Sequence, residues 1–354
     1  DSGTGAFKWY QDRGNPEQVS WTDDNGGRTI SFQPPQPGAY FFYLQVGDSY
    51  ARTLVVRVGA DGGVSGQELD DQDRFWREEA VIYTVFVRRF HDSDGDGHGD
   101  FEGLRQKLPY LKSLGVNVLW IMPITPGPTS HGYAATALYN THPDYGTLAD
   151  WDALVKDAHA QGFKIMLDMV ANHTSDRHPL FRAATANPSS PLRSWFVFNP
   201  GNPDRPFEYA FDFSTLPSLN YNNPAVHRLF IDFVEFWMDH GVDAFRCDIA
   251  SFVTPVFWRE ARRRVVARKP GGAMLAEIIA PVPGFFDAQF EIAYDSYLYW
   301  NFKDIFAKTG GLDAFNGALT SAQDFIRNAG TKSVREKVEP GRVLHMRYLD
   351  TQDE

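Results

Sequence analysis

The sequence places an arginine and an aspartate near the end of an otherwise apolar run, GVDAFRCDIAS, at residues 241–251. Burying an unpaired charge is costly, so folding alone gives no reason for Arg246 and Asp248 to lie there. Side chains alternate along a strand, so these two point to one side and Cys247 to the other. An arginine beside an aspartate favours the ionised carboxylate, which is the state that a nucleophile or an electrostatic stabiliser requires.

Other apolar runs also finish on polar or acidic residues. They are FKIMLDMVANH with Asp168, Asn172 and His173, AMLAEII with Glu277, and VLHMRYLDTQDE with Asp350 and Asp353. Glu277 follows Met-Leu-Ala, and this apolar setting predicts a raised pKa and a proton-donating role. Two such carboxyl groups are typical of glycosidic bond cleavage, and in the retaining mechanism they lie about 5–5.5 Å apart. A single aspartate at a strand end is often a helix cap, but four strand ends in register favour a catalytic site.

The elements that would position these residues are strands alternating with helices. From Phe75 onward, near-continuous apolar runs such as VNVLWIMPI alternate with amphipathic ones such as LRQKLPYLKSLG. This alternation predicts an α/β fold with a parallel sheet covered on both faces. We expect a TIM (β/α)8-type barrel, with an open doubly wound sheet as the alternative, and TIM barrels carry their chemistry at the carboxyl ends of the strands.

The sequence also predicts the domain organisation. Residues 1–60 contain short strand-like runs and indicate a small all-β, partial β-sandwich-like domain, followed by a Gly-rich acidic linker at 61–74. The catalytic barrel is expected over 75–354, with an inserted subdomain at about 174–223 after the third strand, because a loop that long is usually functional. Only seven barrel strands can be placed before Glu354, so the eighth strand is not seen.

Bulk properties exclude some partners. The net charge of -11 and the lack of a Lys/Arg-rich tract predict a neutral substrate rather than nucleic acid or an anionic membrane. No apolar run reaches the roughly 20 residues that span a bilayer. A single cysteine, Cys247, excludes an intrachain disulfide. The start, DSGTGAFKWY, has no basic n-region or apolar h-region, so either a signal peptide has been removed or the protein is cytoplasmic. We expect a secreted or periplasmic protein, with a cytoplasmic location as the alternative.

An aspartate-rich segment, HDSDGDGHGDFEG at residues 91–103, indicates a calcium site. Carboxylates at every second position and the carbonyl of His98 supply the oxygen ligands that calcium prefers. The predicted ligands are Asp92, Asp94, Asp96, His98 and Asp100. The segment is not an EF-hand, because the twelfth position from Asp92 is Gly103 and not glutamate. The alternative is a solvated acidic turn.

From about Val81 to Glu354 the sequence resembles the α-amylase family of glycoside hydrolases. DMVANH, GVDAFRCD and LAEII match its first three signatures in order, and YLDTQDE lies where the fourth is expected. The resemblance implies a barrel with an inserted domain after the third strand. It also implies Asp248 as nucleophile, Glu277 as general acid/base and Asp353 as a third carboxylate that stabilises the transition state.

The resemblance implies binding residues as well. Arg246 would orient the nucleophile, and His173 would bond a sugar hydroxyl. HGYAATALYN resembles the segment whose tyrosine stacks under the reacting sugar, which indicates Tyr133, with His131 nearby. Some relatives bind calcium with a similar Asp-rich loop, and Asn172 resembles a ligand of a second calcium in many of them.

The sequence departs from the family at two places. The fourth signature usually reads Asn-His-Asp, whereas this chain has Thr351, Gln352 and Asp353. The missing histidine removes one contact to the sugar, and Asp350 becomes a rival for the third carboxylate. The Tyr133 segment carries Ala137 where the family has an aspartate. These changes concern substrate preference more than the reaction itself.

Together these features predict a retaining glycoside hydrolase that cleaves α-1,4-glucosidic bonds in starch-like glucans or maltooligosaccharides. An α-1,6-cleaving, cyclodextrin-cleaving or transglycosylating relative is the alternative within the family. A barrel that only binds carbohydrate or a partner is the alternative from another class. The presence of both Asp248 and Glu277 favours the enzyme.

Overall fold

A computed structural model describes residues 79–269 without a break. The other described stretches are 7–11, 15, 17–24, 26–46, 49–58, 61–67, 76, 271–278, 289–307, 310–317, 319–320 and 344–346. The chain forms two compact units, each built from three segments. The first unit comprises Asp1–Glu78, Val266–Gly272 and Ala280–Arg347, and the second comprises Glu79–Val265, Ala273–Ile279 and Tyr348–Glu354.

The amino-terminal part of the first unit is all β, as predicted. Its strands are β1 (Phe7–Gln11), β2 (Trp21–Asp24), β3 (Thr29–Phe32), β4 (Gly38–Val46), β5 (Ser49–Val58) and β6 (Val64–Gln67). β1, β4, β5 and β6 form an antiparallel sheet in that order, and β2 pairs with β3. Tyr40 and Phe42 are fully buried in its core.

The second unit contains five parallel strands. They are β7 (Ile82–Val85), β8 (Val118–Ile121), β9 (Lys164–Met169), β10 (Ala244–Cys247) and β11 (Ala273–Ala276), hydrogen-bonded in chain order. Every residue of β8, β10 and β11 is buried. This is the burial expected of a parallel sheet that is covered on both faces. In the first unit, β12 (Ile292–Tyr294) and β13 (Leu344–Met346) also pair in parallel.

Helices alternate with these strands. They are α1 (Val87–Phe90), α2 (Phe101–Gln106), α3 (Leu108–Ser113), α4 (Leu148–Ala160), α5 (Pro179–Ala186), α6 (Pro224–Asp239), α7 (Pro255–Arg268) and, in the first unit, α8 (Ser296–Phe306). Short 3-10 helices cover Pro143–Tyr145, Pro191–Trp195 and Ala250–Phe252. Trp237 and Trp258 are fully buried in the core. Within the described stretches, no helix has the length and apolar character that a membrane crossing requires.

The prediction of a single helix over LRQKLPYLKSLG is wrong. The structure has two short helices, α2 and α3, that meet at Lys107. Pro109 lies in the first turn of α3, where its missing N–H is tolerated. Inside one continuous helix, the same proline would remove a backbone hydrogen bond and clash with the preceding turn.

The segment over 174–223 packs around its own aromatic residues. Phe181 of α5 contacts Phe196 and Phe207, each with 4.9 Å between ring centroids. Isolated β-bridges, including His173–Ser218, connect this segment to the end of β9. The segment therefore has its own small core, and it reaches residues that follow the third strand of the parallel sheet.

Candidate active site

Arg246 is the centre of the site. Its side chain is completely buried, and Nη1 donates hydrogen bonds to Oδ1 of Asp248 at 2.7 Å and to Oδ1 of Asp168 at 2.9 Å. Nη2 lies 2.8 Å from Oε2 of Glu277, an ion pair rather than a well-aligned hydrogen bond. One guanidinium thus contacts three carboxylates from three neighbouring strand ends.

Strand register brings these side chains together. Arg246 of β10 lies beside Asp168 of β9 in the parallel ladder. Backbone bonds continue the ladder past the strands, from Asp248 N to the Met169 carbonyl and from Glu277 N to the Cys247 carbonyl, both 3.1 Å. Asp248 and Glu277 are therefore held at the same end of the sheet, the end at which TIM-type barrels carry their chemistry.

Asp168 is a site residue to which the sequence analysis gave no role. Its Oδ2 accepts hydrogen bonds from Tyr133 Oη at 2.9 Å and from Trp120 Nε1 at 3.1 Å. Burial raises the pKa of Asp168 to about 6, against the opposing effect of Arg246. The register of β9 and β10 is the signal that could have found it, since the polar ends of adjacent parallel strands meet.

Arg246 favours the ionised form of Asp248, as predicted, but this effect does not decide the pKa of Asp248. The pKa of Asp248 is raised well above its usual value, mainly by burial. Arg246 lowers this pKa, but Glu277 and Asp168 raise it further. Arg246 is shared by three carboxylates, and its effect on Asp248 does not outweigh burial and the two neighbouring acids.

Glu277 is fixed by the backbone that follows Asp248. Its Oε2 accepts a hydrogen bond from the Ile249 N–H at 2.6 Å, and its carbonyl accepts one from Ala250 N at 3.2 Å. Ile249 adopts φ +35° and ψ +53°, in the left-handed region, which is rare for a β-branched residue. The hydrogen bond from Ile249 to Glu277 therefore stabilises a strained turn that directly follows Asp248 in the chain.

The residues implied to bind sugar adjoin this cluster. Tyr133 bonds Asp168, and the His131 ring stacks on the Tyr133 ring with 5.8 Å between centroids. Nε2 of His173 lies 3.1 Å from the Tyr133 carbonyl oxygen, and Nδ1 lies 3.4 Å from Oδ1 of Asn172. Burial lowers the pKa of His173 to about 4, so its ring is neutral at neutral pH.

The predicted third carboxylate lies outside the described residues. The same is true of the segment around it, which includes Asp350, Thr351, Gln352 and Asp353. The role of Asp353 and its rivalry with Asp350 therefore stay predictions.

The aspartate-rich segment brings three of its four carboxylates together. The oxygens of Asp92, Asp94 and Asp100 lie within 4.8 Å of one another. The Asp96 carboxylate lies outside this group and accepts a bond from His98 N at 2.7 Å. An oxygen-only donor set of this kind fits a calcium ion.

Short hydrogen bonds support the shape of this loop. Oδ1 of Asp92 accepts a bond from Gly95 N at 2.7 Å, and Oδ2 accepts one from Gly97 N at 2.9 Å. These bonds lower the pKa of Asp92, which keeps it ionised. In the described residues, no further group of three acidic, histidine or cysteine side chains has this spacing, and the role of Asn172 stays a prediction.

Replacing Arg246 with methionine is expected to lower the free energy of unfolding by about 3–5 kcal/mol, because it leaves buried carboxylates without their cation. Urea denaturation at neutral pH measures the change. Arg264→Met is the control, because Arg264 forms partly exposed ion pairs with Glu260 and Glu235 that are worth at most about 1 kcal/mol. Equal losses in the two variants would contradict the central role of Arg246.

Comparison with known proteins agrees with this geometry. Residues 84–271 match the catalytic domain family described as "Alpha amylase, catalytic domain". Alpha-amylase 3 of Dictyoglomus thermophilum is 37% identical over 219 residues, which cover 57% of this chain and 44% of that protein. An oligo-1,6-glucosidase of Parageobacillus thermoglucosidasius is 35% identical over 206 residues, covering 52% of this chain and 37% of that protein.

Solved structures show the same relationship. An α-amylase from H. orenii superposes with a TM-score of 0.67 at 32% identity, covering 77% of this chain and 61% of that one. A cyclic α-maltosyl-(1→6)-maltose hydrolase from Arthrobacter globiformis, in complex with its substrate, gives a TM-score of 0.66 at 26% identity, with 71% and 64% covered. These neighbours and the parallel sheet confirm the predicted TIM-type barrel fold.

The fold and the matched domain define a TIM-type barrel with an α-amylase catalytic domain. The chain belongs to the α-amylase family, and the resemblance seen in its sequence motifs is confirmed. It spans less than half the length of the two curated relatives described above.

Proposed function

We propose that the chain is the catalytic part of a retaining glycoside hydrolase that cleaves α-1,4-glucosidic bonds in starch-like glucans or maltooligosaccharides. The observation that carries this proposal is the buried Arg246 guanidinium, which holds Asp248 and Glu277 at the same end of the sheet. Two carboxyl groups on one cation can differ in protonation, and the reaction requires one ionised and one protonated group.

In the proposed reaction, the Asp248 carboxylate attacks the anomeric carbon while Glu277 gives its proton to the departing oxygen. A covalent glycosyl-enzyme forms and the glycosidic bond breaks. Glu277 then removes a proton from water, whose oxygen attacks the same carbon and releases Asp248. Asp353 is proposed to stabilise the oxocarbenium-like transition state.

The neighbours of the cluster have proposed positioning roles. Arg246 and Tyr133 hold Asp168, so the Tyr133 ring is fixed where it could support the sugar. His173 is neutral and buried, and its Nε2–H donates to the Tyr133 carbonyl, which leaves Nδ1 as an acceptor. These features support a contact to a sugar hydroxyl, with His131 beside Tyr133.

A second candidate is a relative with another linkage or with transglycosylating activity. Among the similar proteins, one is named an oligo-1,6-glucosidase, and a Thermus thermophilus protein that is 39% identical over 208 residues is named a trehalose synthase. The substitution of Gln352 for the histidine usual in the family is a further reason to test both linkages.

Activity on a panel of substrates tests the proposal. We expect reducing ends to appear from soluble starch and maltoheptaose, and more slowly from pullulan and cyclodextrin. Release from pullulan alone would favour the α-1,6 reaction. No release from any of them, with binding of maltoheptaose retained, would favour a non-catalytic scaffold and contradict the proposal. A secreted or periplasmic location is part of the same proposal, because starch-like polymers are encountered outside the cytoplasm.

We also propose that the Asp92–Asp100 loop holds one calcium ion with a structural role. The carboxylates of Asp92, Asp94 and Asp100 would bind it, and the ion would neutralise their mutual repulsion. Asp100 is also the N-cap of α2, where its side chain accepts the Gly103 N–H. The ion would therefore stabilise the start of α2.

Removing calcium is expected to lower the melting temperature by several degrees, because a ligand at about 100 times its Kd adds about 2.7 kcal/mol to stability. Thermal unfolding with EDTA and with added calcium measures the shift. Asp94→Asn is expected to abolish the response, and Asp96→Asn to retain it. A melting temperature that does not change with EDTA would contradict the calcium site. If both variants lost the response to calcium equally, the three-carboxylate ligand set would be contradicted.

A further inference from the structure

Trp120 adjoins the carboxylate cluster and contacts two of its members. It lies on β8 and is 1% exposed. Its indole Nε1 donates a hydrogen bond to Oδ2 of Asp168 at 3.1 Å, and Cζ of Arg246 lies over the indole ring, 5.3 Å from its centroid. The electron-rich face of the ring therefore meets a cation, and its positive edge meets a carboxylate.

Strand register brings Trp120 to this position. Trp120 of β8 is paired with Met166 of β9, and Asp168 follows Met166 by two residues. Side chains two residues apart on a strand point to the same side of the sheet. Asp168 in turn is paired with Arg246 of β10. Three neighbouring strands thus bring an indole, a carboxylate and a guanidinium together on one side of the sheet.

The Asp168 carboxylate accepts three hydrogen bonds. Arg246 Nη1 donates to Oδ1 at 2.9 Å, whereas Trp120 Nε1 and Tyr133 Oη both donate to Oδ2. An indole and a guanidinium are donors with no acceptor atom. Of these three partners, Tyr133 is therefore the one that could accept a proton from Asp168. Hydrogen bonds to the charged form of an acid favour that form, so this arrangement favours an ionised Asp168.

The donors matter because burial opposes them. Burial raises the pKa of Asp168 to about 6, and the negative charge of Glu277 acts in the same direction. Asp248 and Asp168 also repel each other, and Arg246 is the cation that both carboxylates contact. A pKa this close to neutrality means that the loss of one donor changes the ionised fraction of Asp168 at a working pH. His131 and His173 contact Tyr133 instead.

Protonation of Asp168 would disturb two groups beside the proposed nucleophile. Arg246 Nη1 is shared between Asp168 and Asp248, so a neutral Asp168 would change the balance of charge around the guanidinium. The Tyr133 hydroxyl accepts a weak bond from Arg246 Nη1 at 3.4 Å and donates to Asp168. It would have to turn to accept a proton from Asp168.

We infer that Trp120 is a positioning residue of the proposed glycosidase reaction: its indole N–H keeps Asp168 ionised, and Asp168 in turn holds Arg246 and Tyr133 in place beside Asp248. This inference rests on the proposed function. It assigns to Trp120 an effect on the reaction that is transmitted through Asp168 and not through contact with the sugar.

The pH dependence of kcat/KM on maltoheptaose tests the inference in Trp120→Phe, which keeps an aromatic ring but removes the N–H. Loss of a donor raises the pKa of Asp168, so the acidic limb of the profile is expected to move up by about one pH unit, the equivalent of about 1.4 kcal/mol. Hydrogen bonds to charged groups have about this strength. The loss should be about tenfold near pH 5.5 and below about twofold near pH 8.

Trp151→Phe is the matched control. Trp151 is also fully buried, and its Nε1 donates at the same distance, 3.1 Å, to a neutral acceptor, the His240 carbonyl. His240 precedes β10, whereas Asp248 follows it, so this bond lies at the other end of the strand. The pH profile of this variant should match that of the wild type. If Trp120→Phe does not fold, 3-benzothienylalanine at position 120 removes the N–H and keeps the shape of the indole.

A loss by the same factor at every pH would give Trp120 a structural role only and would overturn the inference. An unmoved profile, a shift to lower pH, or an equal shift in Trp151→Phe would overturn it too. Infrared difference spectra between about pH 5 and about pH 8 follow the protonated carboxyl group without any need for activity. The band that disappears in Asp168→Asn belongs to Asp168, and its midpoint should be about one pH unit higher in Trp120→Phe.

The infrared measurement also separates the inference from the proposed function. If the wild-type chain does not cleave maltoheptaose, the proposed function fails, and a raised midpoint in Trp120→Phe alone would still support the control of Asp168 by Trp120. An unchanged midpoint would overturn that control whether or not the chain is active.

Discussion

Replacing Asp248 with asparagine is expected to lower kcat on maltoheptaose by about 10⁴-fold, because loss of a residue from a catalytic set has effects of this size. The amide cannot attack the anomeric carbon as a carboxylate does. It still accepts a hydrogen bond from Arg246 Nη1, so the rest of the cluster keeps its arrangement. Steady-state kinetics with reducing-end detection measures the loss.

The control for this variant is Asp232→Asn, on α6. Asp232 forms an i,i+4 ion pair with Arg228, and both side chains are exposed. Its effect on kcat should be negligible, since such pairs contribute little even to stability. A loss below about tenfold in Asp248→Asn would assign the nucleophile to another carboxylate. Asp168→Asn would then be the next variant to measure, because Asp168 contacts the same Arg246 nitrogen.

Replacing Glu277 with glutamine is expected to lower kcat on maltoheptaose by about 10²–10⁴-fold, the range for loss of general acid–base catalysis. The effect on formation of the glycosyl-enzyme from α-maltosyl fluoride should be much smaller, because fluoride departs without a proton. Single-turnover kinetics on the fluoride separates this first step from hydrolysis. Asp248→Asn, in contrast, should fail with both substrates.

The glutamine variant keeps the local structure, since its carbonyl oxygen can accept the Ile249 N–H in place of the carboxylate. Glu260→Gln on α7 is the control, because Glu260 pairs with Arg264 on the helix surface. If Glu277→Gln lost the same factor on both substrates, its role would be electrostatic or structural. The assignment of Glu277 as proton donor would then be wrong.

The charged residues at the strand ends could be predicted from the sequence, because charged residues are unusual in buried apolar runs. Arg246 and Asp248 could be singled out within an apolar run, and the period of two placed them on one side. The structure brings them together with Glu277 and Tyr133. The parallel sheet and the all-β amino-terminal part could also be predicted, since both follow from local patterns of apolar residues.

Properties that depend on counting neighbours could not be predicted. The pKa of Asp248 is raised mainly by burial and further by Glu277 and Asp168, and sequence alone did not bring Asp168 into that group. The break between α2 and α3 was missed because the amphipathic pattern of LRQKLPYLKSLG predicts one helix despite Pro109. Phe211 is 58% exposed and has a positive φ of +51°, and no local preference of phenylalanine predicts either property.

The charge balance around Arg246 has a consequence for the resting protein. One permanent cation faces three acids in a pocket that excludes solvent from the guanidinium, so full ionisation would leave two uncompensated negative charges there. Protonation of an acid removes one of these negative charges. Asp168 and Asp248 bind hydrogen more readily than free aspartates, mainly because they are buried, so the resting pocket carries less negative charge than its three acids suggest.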